Sequence, residues 1–246
     1  MTDSEDVTYG RTAVLRLALA SESAELADLA RGLVRTDSDD WGHPGSHTEH
    51  AARILSAAQE VMRLAVAADR SAGASWTAIG EVLEVTKQAA SERFGKQAAA
   101  YEDAVLRGWL LAGVPRDPYT GPDGMRGSTE GAQLLDAWVR QHADYPADLP
   151  ERPVSAQLTP ISTAEFGSLM AAALTWKIQA TTDTSLSPRD RWRIDLGYAQ
   201  RRVEWHERMI AEEVGGPGRT GTPMDDHHEM LTIARQRLTE VQAREP

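Results

Sequence analysis

The chain has 246 residues, 41% of them hydrophobic, enough for one large or two small domains with an apolar core. With no cysteine there is no disulfide framework, thiolate zinc site or cysteine nucleophile, which fits a reducing compartment. A net charge of −11 opposes non-specific attraction to nucleic acid or anionic lipid, no run approaches a membrane helix's ~18 to 20 apolar residues, and the acidic start MTDSEDVTYG is unlike a signal peptide, so a cytoplasmic protein is expected.

Alanine is frequent, β-branched alternation is scarce and apolar positions recur at three and four, which predicts an all-α fold. Residues 11–35 place Leu15, Leu19, Leu26, Leu29 and Leu33 on one stripe interrupted by Glu22, as in a core-facing helix or a short coiled-coil seam. The stretch Asp37 to Gly45 breaks it. A second helix, roughly 48–72, carries Ile54, Leu55, Ala58, Val61, Met62, Ala65 and Ala68, and Gly73 ends it.

The informative segment follows, GASWTAIGEVLEVTKQAASERFG, whose last residue is Gly95. Two short helices at a fixed angle need an inward face, a tight turn and a small residue where they approach. Ile79 and Leu83 give the first helix its inward face, Gly80 permits close approach, Val85 is expected to plug the turn, Thr86 to cap the second helix, and Ala90 to point inward. The second helix is expected to run on past Gly95 through Tyr101 and Val105 towards Trp109. This segment, about residues 66–95, resembles the tri-helical helix-turn-helix of bacterial DNA-binding proteins, in versions common in actinobacteria, with 48–72 as the supporting helix.

That resemblance implies a DNA-facing set. It consists of Thr86, Lys87, Gln88, Ser91 and Glu92, with Ser75 and Thr77 near phosphate at the start of the first helix; beyond that set, the charges of Arg93 and Lys96 suit them to anchor phosphates. The chemistry suits those roles: Gln88 can pair bidentately with adenine, Lys87 can meet guanine or phosphate, Ser91 is adaptable, and Glu92 can accept from cytosine N4. Glu84 stands where the family has glycine, so an αL backbone there would carry a Cβ at roughly 1 kcal/mol. Arg93 stands where an aliphatic is usual, leaving Phe94 to supply the packing.

Proline and glycine crowd the stretch from Val114 to Gly131, which marks a domain boundary. A short helix over 132–143 shows Leu134, Leu135 and Trp138; Pro146, Pro150, Pro153 and Pro160 then read as extended linker. Ser162 with Glu165 forms a capping box ahead of Phe166, Leu169, Met170 and Ala173, and Ser187 with Pro188 starts another helix. Trp192, Leu196, Ala199, Val203, His206 and Ile210, then His227, Leu231, Ala234, Leu238 and Val241, form two matching seams that predict an antiparallel hairpin or a dimer contact. The expected division is a helical domain at 1–113, a linker with one short helix at 114–162, and a C-terminal helical domain at 163–246 for dimerisation or partner binding.

The remaining candidates favour ordinary roles. Arg189, Arg191, Arg193, Arg201 and Arg202 could track phosphate or a partner, but a solvated face paired with nearby acids is the preferred reading. His43, His47 and His50 are spaced suggestively for a metal, but Pro44 and Gly45 break a continuous helical face; in the 225–229 run of Asp225, Asp226, His227, His228 and Glu229 adjacent side chains diverge on a helix, and Thr222–Pro223–Met224–Asp225 reads more simply as a capped, dipole-matched helix start. His206 and His227 are expected to be core histidines; contact across the hairpin would make a pH-sensitive buried pair. Six of the seven tryptophans are expected to be mostly core and interface anchors. No phosphate loop, dinucleotide pattern, serine elbow or zinc-protease pair occurs, so neither catalysis nor a cofactor is expected. The sequence therefore predicts a dimeric regulator or plasmid or phage maintenance factor that binds double-stranded DNA, with a helical adaptor built on the same fold as the alternative and a metal-dependent enzyme a distant third.

Overall fold

The computed structural model describes residues 8–34, 36, 43–114, 129–215 and 224–246. Among them the fold is all-α, as the periodicity predicts, with α1 (Arg11–Val34), α2 (Ser46–Ser71), α3 (Trp76–Val82), α4 (Lys87–Leu111), α5 (Thr129–His142), α6 (Thr163–Thr182), α7 (Pro188–Gly215) and α8 (Met224–Gln242). The only strand-like pairing among the described residues is one antiparallel bridge between Tyr9 and Pro160. None of the described helices is long and apolar enough to cross a membrane.

The chain divides into two compact units, Met1–Val105 with Thr120–Pro160, and Leu106–Tyr119 with Ile161–Pro246. This differs from the expected cuts near 113 and 162. Within the expected 114–162 linker, α5 is part of a folded unit, because it packs on α1: the Trp138 indole donates to Asp28 at 3.0 Å. Buried Asp136 accepts from the Val154 and Ser155 amides at 2.6 and 3.0 Å, fixing the 3-10 turn at Ser155–Gln157 to α5. The prolines after α5 thus run along a folded unit.

In the first unit α1 and α2 are antiparallel, since the Thr12 hydroxyl pairs with that of Ser71 at 2.8 Å while His50 Nε2 meets the Leu29 carbonyl at 2.7 Å. The predicted α1 stripe needs correction. Covered by both α2 and α5, the helix buries Val14, Leu15, Leu17, Ala18 and Ala24, whereas Leu33 at its open end is exposed. On α2, burial concentrates in the second half at Leu64, Val66, Ala67 and Ala68, leaving Leu55 and Met62 of the expected face exposed. That half is where α3 and α4 pack, around a small core of Val66, Ile79, Ala90 and Phe94.

The second unit is built around Phe166, with Trp109 edge-on at 5.0 Å and Trp205 stacked at 5.9 Å between ring centroids. The Ser162 hydroxyl caps α6 by accepting from the Glu165 amide, and Ser187 caps α7 by accepting from the Asp190 amide. The predicted α7/α8 hairpin forms, tied at its end by the Trp192 indole donating to the Val241 carbonyl in the last turn of α8 at 2.9 Å. The last turn of α4 joins this unit, where Arg201 donates to the carbonyls of Trp109 and Ala112 and so satisfies groups left open by the helix end.

Candidate nucleic-acid interface

The two short elements of the informative segment form as two helices around a four-residue turn. Each start is capped by a hydroxyl: Ser75 accepts from the Ala78 amide and Thr86 from the Ala89 amide, both at 3.1 Å. Because each oxygen uses a lone pair for the cap, its own proton stays available to donate outward. The turn is held by the Val85 amide donating to the Gly80 carbonyl at 2.9 Å. A Cβ at Gly80 would lie 2.8 Å from the Val85 carbonyl oxygen, so the close approach expected of this glycine is a backbone-to-backbone contact.

Glu84 has φ of 56°, the only positive value on a non-glycine residue among those described. The αL turn anticipated from its position is therefore present, with a side chain where glycine would be unstrained. Val85 does not plug the turn. It is 39% exposed, and the turn is closed instead through main-chain atoms at the Gly80 contact. Ala90 and Phe94 do fill the core, and the Arg93 guanidinium lies 4.9 Å from the Phe94 ring centroid with its charge exposed.

Eight of the nine candidate residues are exposed, namely Ser75, Thr77, Thr86, Lys87, Gln88, Glu92, Arg93 and Lys96, while Ser91 is half-buried. Gln88 donates to Glu92 at 2.8 Å, one turn along the exposed side of α4. Between Ser75 and Lys96 the cations Lys87, Arg93 and Lys96 are matched in number by Glu81, Glu84 and Glu92, so the segment has no net charge of its own.

Two supports escaped the sequence reading. Arg70, in the last turn of α2, donates to the Ala74 carbonyl and lies 4.8 Å from the Trp76 ring centroid, fixing where α3 begins. Farther along α4, Tyr101 donates to Glu60, which also takes the Arg63 guanidinium at 2.8 Å. Burial, and then that carboxylate, push the Tyr101 hydroxyl up to about 12. A tyrosine on α4 and an acid–base pair three apart on α2 are the available signals, but nothing in the linear order joins them.

The other candidates behave as structural groups. Arg189, Arg193 and Arg201 pair with Glu245, Asp190 and Glu204, and Arg191 donates to the Asp183 carbonyl; the pairing with nearby acids is as expected, but these arginines and Arg202 are half-buried and do not form a solvated face. Among the described residues no group of three or more His, Asp or Glu side chains is placed to hold a metal. The Thr222–Pro223 start expected for α8 lies outside the described residues. His206 and His227 do meet across the hairpin, which turns two expected core histidines into a contacting pair. Compared with protein-family models, with curated proteins and with solved structures, the chain matches none.

Proposed function

We propose that the chain is a sequence-specific double-stranded DNA-binding protein, a transcription regulator or a plasmid or phage maintenance factor, that works as a homodimer. In this reading the start of α4 enters the major groove, with Lys87, Gln88, Ser91 and Glu92 towards base edges and Ser75, Thr77, Thr86, Arg93 and Lys96 towards phosphates. The observation that carries it is the exposure of eight of these nine residues, all but half-buried Ser91, around a helix start whose angle is fixed by backbone contact at Gly80. One such helix buries too little surface for tight binding, and a two-fold pair of them doubles it. The neutral segment on an acidic chain supports readout over indiscriminate attraction.

The test is recovery of genomic DNA fragments with the purified protein, repeated with Gln88→Ala and Lys87→Ala. Enriched fragments that share a sequence and are lost in the variants support the reading; equal enrichment in both variants removes it. A second reading, a protein-interaction module on the same scaffold, is favoured by Val82, which is 83% exposed on α3 beside the exposed Glu81 and Glu84. A stoichiometric protein partner without bound DNA would select it.

A further inference from the structure

We infer that the histidine pair in the α7/α8 seam is a pH-operated latch on the first turns of α8: a proton on each ring parts α8 from α7 at that end, while the far end of α8 stays docked. The pair stands on geometry. The two Nδ1 atoms are 3.3 Å apart, the ring centroids 5.6 Å, and each residue is more than nine-tenths buried. At that distance one nitrogen donates and the other accepts. With both rings protonated, two N–H groups and two positive charges face each other in a seam that excludes water, and separation relieves them.

The surroundings do not soften that repulsion. Among the described residues the charges acting on His206 are those of Arg202, one turn earlier on α7, and of His227, so no carboxylate offsets a proton there. Glu207, next to it on α7, is taken by Arg235 of α8 at 2.9 Å. On α8 itself the neighbours Asp226, His228 and Glu229 are exposed. Within this unit, among the described residues, His206 and His227 are the only buried polar or charged side chains.

The far end of α8 is held by groups of another kind. Leu238 and Val241 pack with Trp192, Leu196 and Ala199 of α7. The Trp192 indole donates to the Val241 carbonyl, and Arg237 pairs with Asp195 at 3.5 Å. None of these titrates between about pH 5 and 8, where histidine does. Acid therefore acts on one end of the helix and leaves the other fastened. The inference concerns the second unit alone and does not rest on the DNA-binding reading.

The chain has no cysteine, so a single introduced thiol reports one place. Leu231→Cys, buried one turn beyond His227, and Val241→Cys, buried at the far end, are timed against a dipyridyl disulfide, which reacts in acid, with the exposed Thr232→Cys as reference. Between about pH 7.5 and 5 the relative rate of Leu231→Cys is expected to rise at least roughly tenfold, with a limit of about tenfold per unit for each proton taken up on opening. Val241→Cys is expected to stay protected. In a His206→Gln background, where the amide keeps a donor and an acceptor but takes no proton, the rise should vanish. Should Leu231→Cys fold poorly, hydrogen exchange on the unaltered chain, corrected for its intrinsic pH dependence, should show amides of 231–235 losing protection in acid before those of 237–241. A flat rate in Leu231→Cys, equal rises in the two buried variants, a rise that survives His206→Gln, or exchange lost at both ends together overturns the inference.

Discussion

His206 and His227 face each other across the α7/α8 hairpin with their Nδ1 atoms 3.3 Å apart, both rings buried. In that contact one nitrogen donates and the other accepts, so at least one imidazole must be neutral. Burial first, then Arg202 and His227, holds His206 below its ordinary value of 6.5. The unfolded chain therefore takes up a proton that the folded chain refuses. The stability this contributes is fully present above pH 6.5 and is lost as pH falls through the lower folded value. Thermal melts between about pH 7.5 and 5 should show a falling Tm that flattens in His206→Gln, and an unchanged slope would remove the pair as the cause.

Gly197 lies where α7 crosses the end of α4 in the second unit. A Cβ there would sit 2.4 Å from the Leu110 carbonyl oxygen, a main-chain atom that cannot swing aside. Gly197→Ala should cost about 1–3 kcal/mol or more, read by urea denaturation. By contrast, a Cβ at Gly95 would meet nothing closer than 3.6 Å, so Gly95→Ala should be tolerated and serves as the control.

The turn between α3 and α4 makes a paired prediction. Glu84→Gly removes a Cβ from a φ of 56° and should raise stability by up to about 1 kcal/mol, while Glu84→Ala keeps the strain and should gain nothing. Gly80→Ala presses a Cβ against the Val85 carbonyl and should cost about 1–3 kcal/mol. Equal effects of glycine and alanine at position 84 would show that the αL strain is not what is being measured.

Tyr101 should ionise late in an absorbance titration, at about pH 12, and Tyr101→Phe should abolish that late step while leaving the upward-shifted, half-buried Tyr198. A tyrosine held protonated by the fold contributes stability below its ordinary value of 10.0 that is lost as pH rises through about 12. The same variant should cost about 1–2 kcal/mol near neutrality through the bond lost to Glu60.

In the proposed DNA-binding reading, Gln88→Ala should weaken binding to the preferred sequence alone by about 1–3 kcal/mol, whereas Lys96→Ala should weaken all sequences alike and make binding less salt-dependent. Anisotropy titrations at several salt concentrations separate the two. Loss of salt dependence in Gln88→Ala, with none in Lys96→Ala, would invert the roles proposed for them.

The legible part of the fold was local. Caps at Thr86, Ser162 and Ser187 depend on residues three apart, and each forms as read. So does the Gly80 approach, because only a missing Cβ allows it. What could not be read depends on distant segments: α1 buries two faces because α5, more than a hundred residues later, covers one of them through Trp138 and Asp28. Val85 shows the same limit at short range, since main-chain atoms closed a turn for which a side chain was expected. At the candidate interface, exposure followed from the helical pattern, but the anchoring of α3 by Arg70 required a cation and an indole on different helices to meet.

The bond from Gln88 to Glu92 gives the leading turn of α4 a resting state. In the proposed DNA-binding reading, the amide that would meet a base is already clasped by its neighbour, so any base offered to it must first outcompete that carboxylate, and a poor match leaves the clasp shut. On that reading the clasp is an internal competitor at a fixed local concentration, against which each stretch of DNA would be weighed.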